Sequence, residues 1–303
     1  MRQALARTLT ELTERREDVH VLTADTGFHV FDEFQQRFPD RFLNVGISEA
    51  AMIGMAAGMA LAGKQVFCYG IVPFVTLRCL EQIRVDLCGA RLPVKIVGVG
   101  GGLTYGPAGM THHAVEDIAV MTALPGMTVV CPGDPVEVAM GTRASLLVHG
   151  PCYLRIGKTG EPVVHTDGLG AFEIGKGIRL REGRGVALVA TGNMLPTAAR
   201  AADILAGRGL GPELISMHTV KPIDRRLIVD LAGRCGTIAT IEEHSIIGGL
   251  GSSVAGVIAD EALSVRLRRF ALPDEYAHEA GSQEYFRRKY RLTAEQIADR
   301  IET

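Results

Sequence analysis

The sequence predicts an α/β protein of two domains, each with a mostly parallel sheet flanked by helices. Three observations carry this. Short β-branched runs alternate with longer helix-period segments along most of the chain. The strand runs are apolar almost throughout, the pattern of strands covered by helices on both faces. The length, 303 residues, suits two domains at about 150 residues each.

In order, the strand runs are VHVLTAD (19–25), QVFCYGIV (65–72), VKIVGVG (94–100), TVVC (128–131) and CYLRI (152–156). After them come VALVATG (186–192), ELISM (213–217), TIATIE (237–242) and VRLRRF (265–270). Helix patterns lie near 2–16, 48–62, 74–89, 134–148, 194–207, 224–233 and 249–263. The stretch 157–185 is Gly-rich, charged and weakly periodic, so the boundary falls there. The expected domains are 1–165 and 175–303.

Composition narrows the function classes. A hydrophobic share of 47% and a charged share of 22% are ordinary for a soluble globular protein. Lys+Arg 32 against Asp+Glu 34 gives −2, which speaks against a basic nucleic-acid binder. The 36 glycines are unusual, lack a period and come with only 13 prolines. Collagen-like and linker readings fail, leaving tight turns or close backbone approach. Six cysteines (Cys68, Cys79, Cys88, Cys131, Cys152, Cys235) show no C-x-x-C spacing and mostly sit in apolar runs. They read as buried reduced thiols rather than a metal site or disulfide framework. The first 18 residues are charged and amphipathic without an apolar core, and the apolar stretch 50–63 ends at Lys64. Neither is a secretory signal or a membrane span, so a cytoplasmic location is expected.

Individual motifs are weak. Ser48 is a good N-cap, and Glu49 in the first turn is favoured by the helix dipole. Ala50, Gly54 and Gly58 recur every fourth residue, a stripe that permits tight packing in a core or between subunits. The cluster GVGGGLTYGPAG (98–109) misses the dinucleotide fingerprint because Leu103 takes the third glycine's place. GGLGSS (248–253) follows a strand, opens a helix and could offer amides to an anion. His112 and His113 follow the glycine loop.

Together the motifs say more. RFLNVGISEAAMIGMAAGMALAG, YGIVPFVTLRCLEQIR and GPAGMTHHAVEDIAVMTALPGMTVVCPGDPVE resemble the pyrimidine-binding domain of transketolases. ELISMHTVKPID and TIATIEEHSIIGGLGSSVAG look like the transketolase C-terminal domain, and the resemblance runs from about 2 to 300. It covers only the C-terminal half of a full-length transketolase, so the chain resembles the second subunit of a split one.

The resemblance implies thiamine diphosphate as cofactor and ketol transfer from a ketose to an aldose. Glu49 matches the glutamate that bonds the aminopyrimidine ring nitrogen, where a shared proton favours the tautomer that acts as base. Phe74 matches the aromatic packed on that ring, and Ile47 lies beside the cofactor. His112 matches a histidine that exchanges protons with substrate oxygens, and His113 adds a second polar contact. Arg155 and Arg2 match substrate-phosphate positions, and His29 falls where many relatives have a phosphate-contacting serine.

Departures from the pattern matter too. Ala108 replaces an aspartate that reads sugar hydroxyls, and Gly100 replaces a phosphate-contacting histidine. Lost partners put the usual pentose-phosphate pair in doubt and favour a modified sugar, a shorter acceptor or an unphosphorylated substrate. The family's G-D-G grip for diphosphate and Mg2+ is missing, so no metal ligand is assigned in this chain. An N-terminal partner subunit is expected to supply it in an α2β2 heterotetramer. The alternatives are a decarboxylating relative (deoxyxylulose-phosphate-synthase-like, or a 2-oxo acid dehydrogenase β chain) and a non-catalytic scaffold subunit.

Overall fold

The computed structural model describes residues 1–158 and 160–302. Thr159 and Thr303, which fall within the two expected domains, lie outside the described residues. The first sheet contains β1 (Val19–Thr23), β2 (Phe42–Asn44), β3 (Gln65–Ile71), β4 (Lys95–Val99), β5 (Thr128–Val130) and β6 (Cys152–Ile156). They run in the order β5-β6-β4-β3-β1-β2, all parallel. β7 (Ile178–Arg181), β8 (Gly185–Ala190) and β9 (Glu213–Ser216) begin the second sheet. The next strand, β10 (Thr219–Lys221), crosses back and joins the first sheet antiparallel to β5. β11 (Cys235–Ser245) and β12 (Arg266–Leu272) complete the second sheet, β12-β11-β8-β9-β7, with β7 antiparallel to β9.

The helices of the first domain are α1 (Arg2–Arg15), α2 (Asp32–Arg37), α3 (Glu49–Leu61), α4 (Val72–Val75), α5 (Leu80–Gln82), α6 (Asp117–Ala123) and α7 (Pro135–Ser145). Those of the second are α8 (Leu195–Gly207), α9 (Arg225–Arg234), α10 (Leu250–Asp260), α11 (Gln283–Lys289) and α12 (Ala294–Glu302). Alternate residues of each central strand feed opposite faces. Leu22, Cys68 and Ile96 pack with Ile53 and Ala56 of α3, while Val21, Phe67 and Val97 pack with Leu5 and Leu9 of α1. In the second domain Leu188 and Ala190 meet α8, and Ala187 and Val189 meet α9 and α10 through Ile228 and Val254. Each fully buried aliphatic side chain contributes roughly 1.5–3 kcal/mol of transfer free energy. All six cysteines are free and buried; burial pushes the Cys131 and Cys152 thiols up to about 12.

Several elements differ from the sequence reading. The single helix expected over 74–89 is α4, a turn, α5 and a wide π turn over Ile83–Gly89. The Thr76 hydroxyl donates to the Val72 carbonyl at 2.6 Å, competing with a regular helix ladder. α11 and α12 add to the expected helices, and Phe286 and Ile297 anchor them in the second core. The stripe Gly54 and Gly58 is not packed against anything in this chain, since an added Cβ would meet open space at both. The amides of GGLG already have an anion of their own. Glu242 accepts from Leu250 N at 2.7 Å and Gly251 N at 2.8 Å, so an external anion has no place there. Burial raises the Glu242 carboxyl to about 7 against the pull of those amides.

The boundary stretch is strapped down. Asp134 caps α7 and also accepts from Val164 N and His165 N, and the His165 ring lies 2.8 Å from Glu137. Phe172 stacks on the buried His218 ring at 3.9 Å. Burial pushes His218 down to about 4, outweighing the nearby Glu137 charge. The fold therefore favours the neutral ring, and its contribution, full above pH ~6.5, is lost as pH falls towards the folded value. Urea unfolding between pH 7.5 and 4 is expected to show His218→Gln losing roughly 3 kcal/mol less than the parent over that window. Parallel pH curves for the two proteins would rule out this assignment.

Candidate active site

The site forms where the first sheet's parallel strands end, which is where open α/β sheets hold ligands. Beyond β2 the chain passes Ile47, 78% exposed, and enters α3 with Glu49 in its first turn, only 4% exposed. Ser48 stands at the N-cap without a side-chain capping bond. Glu49 Oε2 accepts from Arg78 Nη1 at 2.8 Å. The Arg78 guanidinium lies over the Phe74 ring, 4.4 Å from its centroid. Phe74 meets the His112 ring edge-on at 5.0 Å, and Tyr105 lies 6.1 Å from His112 on another side. Lys158 Nζ sits 4.7 Å from the Tyr105 centroid, and Arg2 Nε donates to the Lys158 carbonyl at 2.9 Å. A continuous line of side chains thus runs from a buried carboxylate, over an aromatic face and an imidazole, to two cations. Neither Arg2 nor Lys158 has a carboxylate partner among the described residues.

The glycine loop makes this line possible. Gly100 (φ +89°) and Gly102 (φ +69°) hold left-handed backbone. The Tyr105 ring fills the space beside Gly100 where a side chain would stand. Gly102 and Ala114 bond each other in both directions, closing an excursion that carries Tyr105 and His112. Thr111 Oγ1 lies 3.0 Å from His112 Nδ1.

Two expected substrate contacts, Arg155 and His113, are buried side chains. Arg155 is buried within β6, where Nε donates to Asp117 Oδ2 at 2.8 Å and Nη2 to the Ala114 and Glu243 carbonyls. Burial alone would depress its pKa, but Asp117 pushes it above the usual arginine value. Its Nε and Nη2 are engaged inside the protein, where they hold the loop. His113 is also buried, its Nε2 3.2 Å from the Gly106 carbonyl and its ring edge-on to Phe286 of the second domain. His29 is exposed and lies 3.3 Å from Asp32.

Lys158, Arg78 and Tyr105 were missed. Lys158 follows the carboxyl end of β6, a position that the strand-end rule would have preferred over Arg155 inside the strand. Arg78 follows Phe74 by four residues, but the broken helix put its orientation beyond periodicity. Among the described residues no cluster of three or more His, Cys, Asp or Glu could hold a metal ion.

The chain matches the family profile "Transketolase, pyrimidine binding domain" over residues 1–160 and "Transketolase, C-terminal domain" over residues 175–297. The chain belongs to the transketolase family. A "Putative transketolase C-terminal section" of Methanocaldococcus jannaschii is 39% identical, the match covering 99% of this chain and 95% of that protein. A "6-deoxy-6-sulfo-D-fructose transketolase subunit SqwH" of Clostridium sp. is 37% identical over 95% of this chain and 89% of its own length. A solved "Split gene transketolase, inactive beta4 tetramer" superposes with a TM-score of 0.92 at 35% identity, covering 99% of this chain and 96% of the other. This transketolase-family chain is therefore a transferase subunit equivalent to the C-terminal section of the enzyme.

Replacing Arg155 separates a positioning role from a phosphate grip. Arg155→Met strands the buried Asp117 carboxylate and is expected to cost roughly 3–5 kcal/mol in chemical unfolding. A stable Arg155→Met protein whose only defect is a raised substrate KM would restore the phosphate role.

Proposed function

We propose that this chain supplies the pyrimidine-binding half of a thiamine diphosphate site in a two-subunit transketolase that moves a two-carbon ketol unit from a ketose to an aldose. The observation that supports this best is the line from Glu49 through Phe74 and His112 to Lys158 and Arg2. A buried carboxyl beside a half-buried aromatic fits an aminopyrimidine ring, which needs one proton-sharing partner and one flat face. When bound, thiamine diphosphate supplies the carbon nucleophile and electron sink for cleaving the ketose.

In this reading Glu49 holds a proton at the ring nitrogen, Phe74 sets the ring plane and Ile47 covers its edge. His112 passes a proton to and from the substrate oxygen at the carbon–carbon bond being broken or made. Lys158 and Arg2 hold an anionic group at the far end of the sugar, and His29 stands outside this line. Diphosphate and Mg2+ fall to an N-terminal partner subunit in an α2β2 assembly. The seat for that partner is the exposed face of Leu43, Ile47, Met55 and Leu61 beside the open Gly54 and Gly58. Ala108 and the Tyr105-filled space beside Gly100 leave fewer polar partners for sugar hydroxyls, which supports a donor other than the usual pentose phosphates. A 1-deoxy-D-xylulose-5-phosphate synthase of Thermomicrobium roseum is also 37% identical, but this chain spans only 47% of its length. No helix is long and apolar enough to cross a membrane among the described residues.

Reconstitution tests the assignment. Glu49→Gln paired with the N-terminal subunit is expected to lose roughly a hundredfold or more of turnover in a ketose–aldose transfer assay. Calorimetry is expected to show tight thiamine diphosphate–Mg2+ binding by the pair alone. Near-parental turnover of Glu49→Gln, or tight binding by the isolated chain, would overturn the shared site. Lys158→Ala is expected to raise KM about tenfold or more for phosphorylated or sulfonated sugars and to leave kcat and neutral sugars little changed. Equal losses on charged and neutral sugars would remove Lys158 from that role.

A further inference from the structure

The loop that carries Tyr105 and His112 belongs to the first domain, but its supports come from the second. Glu243 lies in β11 and is buried. Its Oε1 accepts from Leu103 N at 2.6 Å and from Gln283 Nε2 at 2.7 Å, while Oε2 accepts from Arg287 Nε at 2.5 Å. Its own carbonyl accepts from Arg155 Nη2, the same nitrogen that donates to the Ala114 carbonyl. Leu103 and Ala114 are the two ends of the excursion, just beyond and at the Gly102–Ala114 closure. One residue of the C-terminal domain therefore grips both ends of the loop, one by its side chain and one through Arg155.

The approach is close enough to dictate sequence. A Cβ on Gly102 would stand 2.5 Å from Glu243 Oε1, and one on Gly101 would stand 2.8 Å from Arg155. The back of the loop rests on the same domain, with the His113 ring against Phe286 and Gly106 too close to the Gly281 carbonyl to bear a side chain. The neighbouring Glu242 caps α10 and plays no part in this contact.

We propose that Glu243 is a positioning residue, holding the His112 loop in register from the C-terminal domain so that domain contact sets the geometry of proton exchange. This rests on the assignment of His112 to the substrate, and the test separates the two. A buried carboxylate with three donors loses its charge-assisted bonds in Glu243→Gln. Hydrogen exchange on the full chain should then rise roughly tenfold to a hundredfold across 103–113, with the second sheet unchanged. Gln283→Leu, which leaves the Arg287 ion pair intact, should shift the same segment by less.

In the reconstituted pair, Glu243→Gln should lower kcat and raise the donor KM, leaving the apparent thiamine diphosphate affinity unchanged. That loss should largely vanish in a His112→Ala background, because a residue that acts through the loop has nothing left to position. Unchanged exchange in both variants, or a loss that stays undiminished in the His112→Ala background, overturns the proposal. If the unmodified pair transfers no ketol unit at all, the proposed reaction fails, and hydrogen exchange alone decides whether Glu243 holds the loop.

Discussion

The buried ion pair between Arg155 and Asp117 is the constraint on which the rest of the molecule depends. Asp117 Oδ2 accepts from both Arg155 Nε and the Tyr153 hydroxyl, at 2.8 and 2.6 Å. Two charges in an apolar interior are tolerated only when their remaining hydrogen-bonding capacity is satisfied. Here Nη2 of the guanidinium also reaches the Ala114 and Glu243 carbonyls. The requirement to satisfy one arginine thus ties a strand of the first sheet, the start of α6, the substrate loop and the second domain together. Such a pair is weak evidence for stability by itself, but it specifies one arrangement of those four parts.

The two domains are interlocked rather than merely joined. β10 adds a strand to the first sheet from within the second domain's part of the chain, and Leu103 of the first domain is buried in the second core. The segment expected as a loose boundary is held by Asp134, Glu137 and His218. A loop pressed against such an interface holds His112 and Tyr105 with little freedom. Meanwhile the α3 face with Met55 and Leu61 remains uncovered by the chain itself. The chain is thus supported on one side by its own second domain and leaves an open apolar face on the other.

Much of the fold was legible because its physics is local. Largely apolar runs marked β3, β4, β6, β8 and β11, since strands buried on both faces are mostly apolar. The short edge strand β2 and the antiparallel β7 and β10 left no such mark, because three or four residues define no period. α11 is short and charged, with Phe286 as its buried side chain in the second core. Glu49, Phe74 and His112, singled out by the resemblance of their motifs, stand in one line of side chains. The burial of Arg155 and His113 was not legible, because spacing does not reveal which way a side chain in a strand or loop faces. Lys158 and Arg78 were overlooked because their importance lies in what they stand beside.

By itself, then, the sequence determined a two-domain α/β chain of the transketolase type and the buried cysteines. Periodicity and motif order record burial and local backbone needs, and those are properties of short segments. Only the tertiary structure decided that Gly100, Gly101 and Gly102 make room for Tyr105, Arg155 and Glu243, and that the GGLG amides already hold Glu242. It also decided that the α3 glycine stripe faces outward. Each of these is a relation between residues distant in sequence, fixed by close packing and by the need to pair every buried charge.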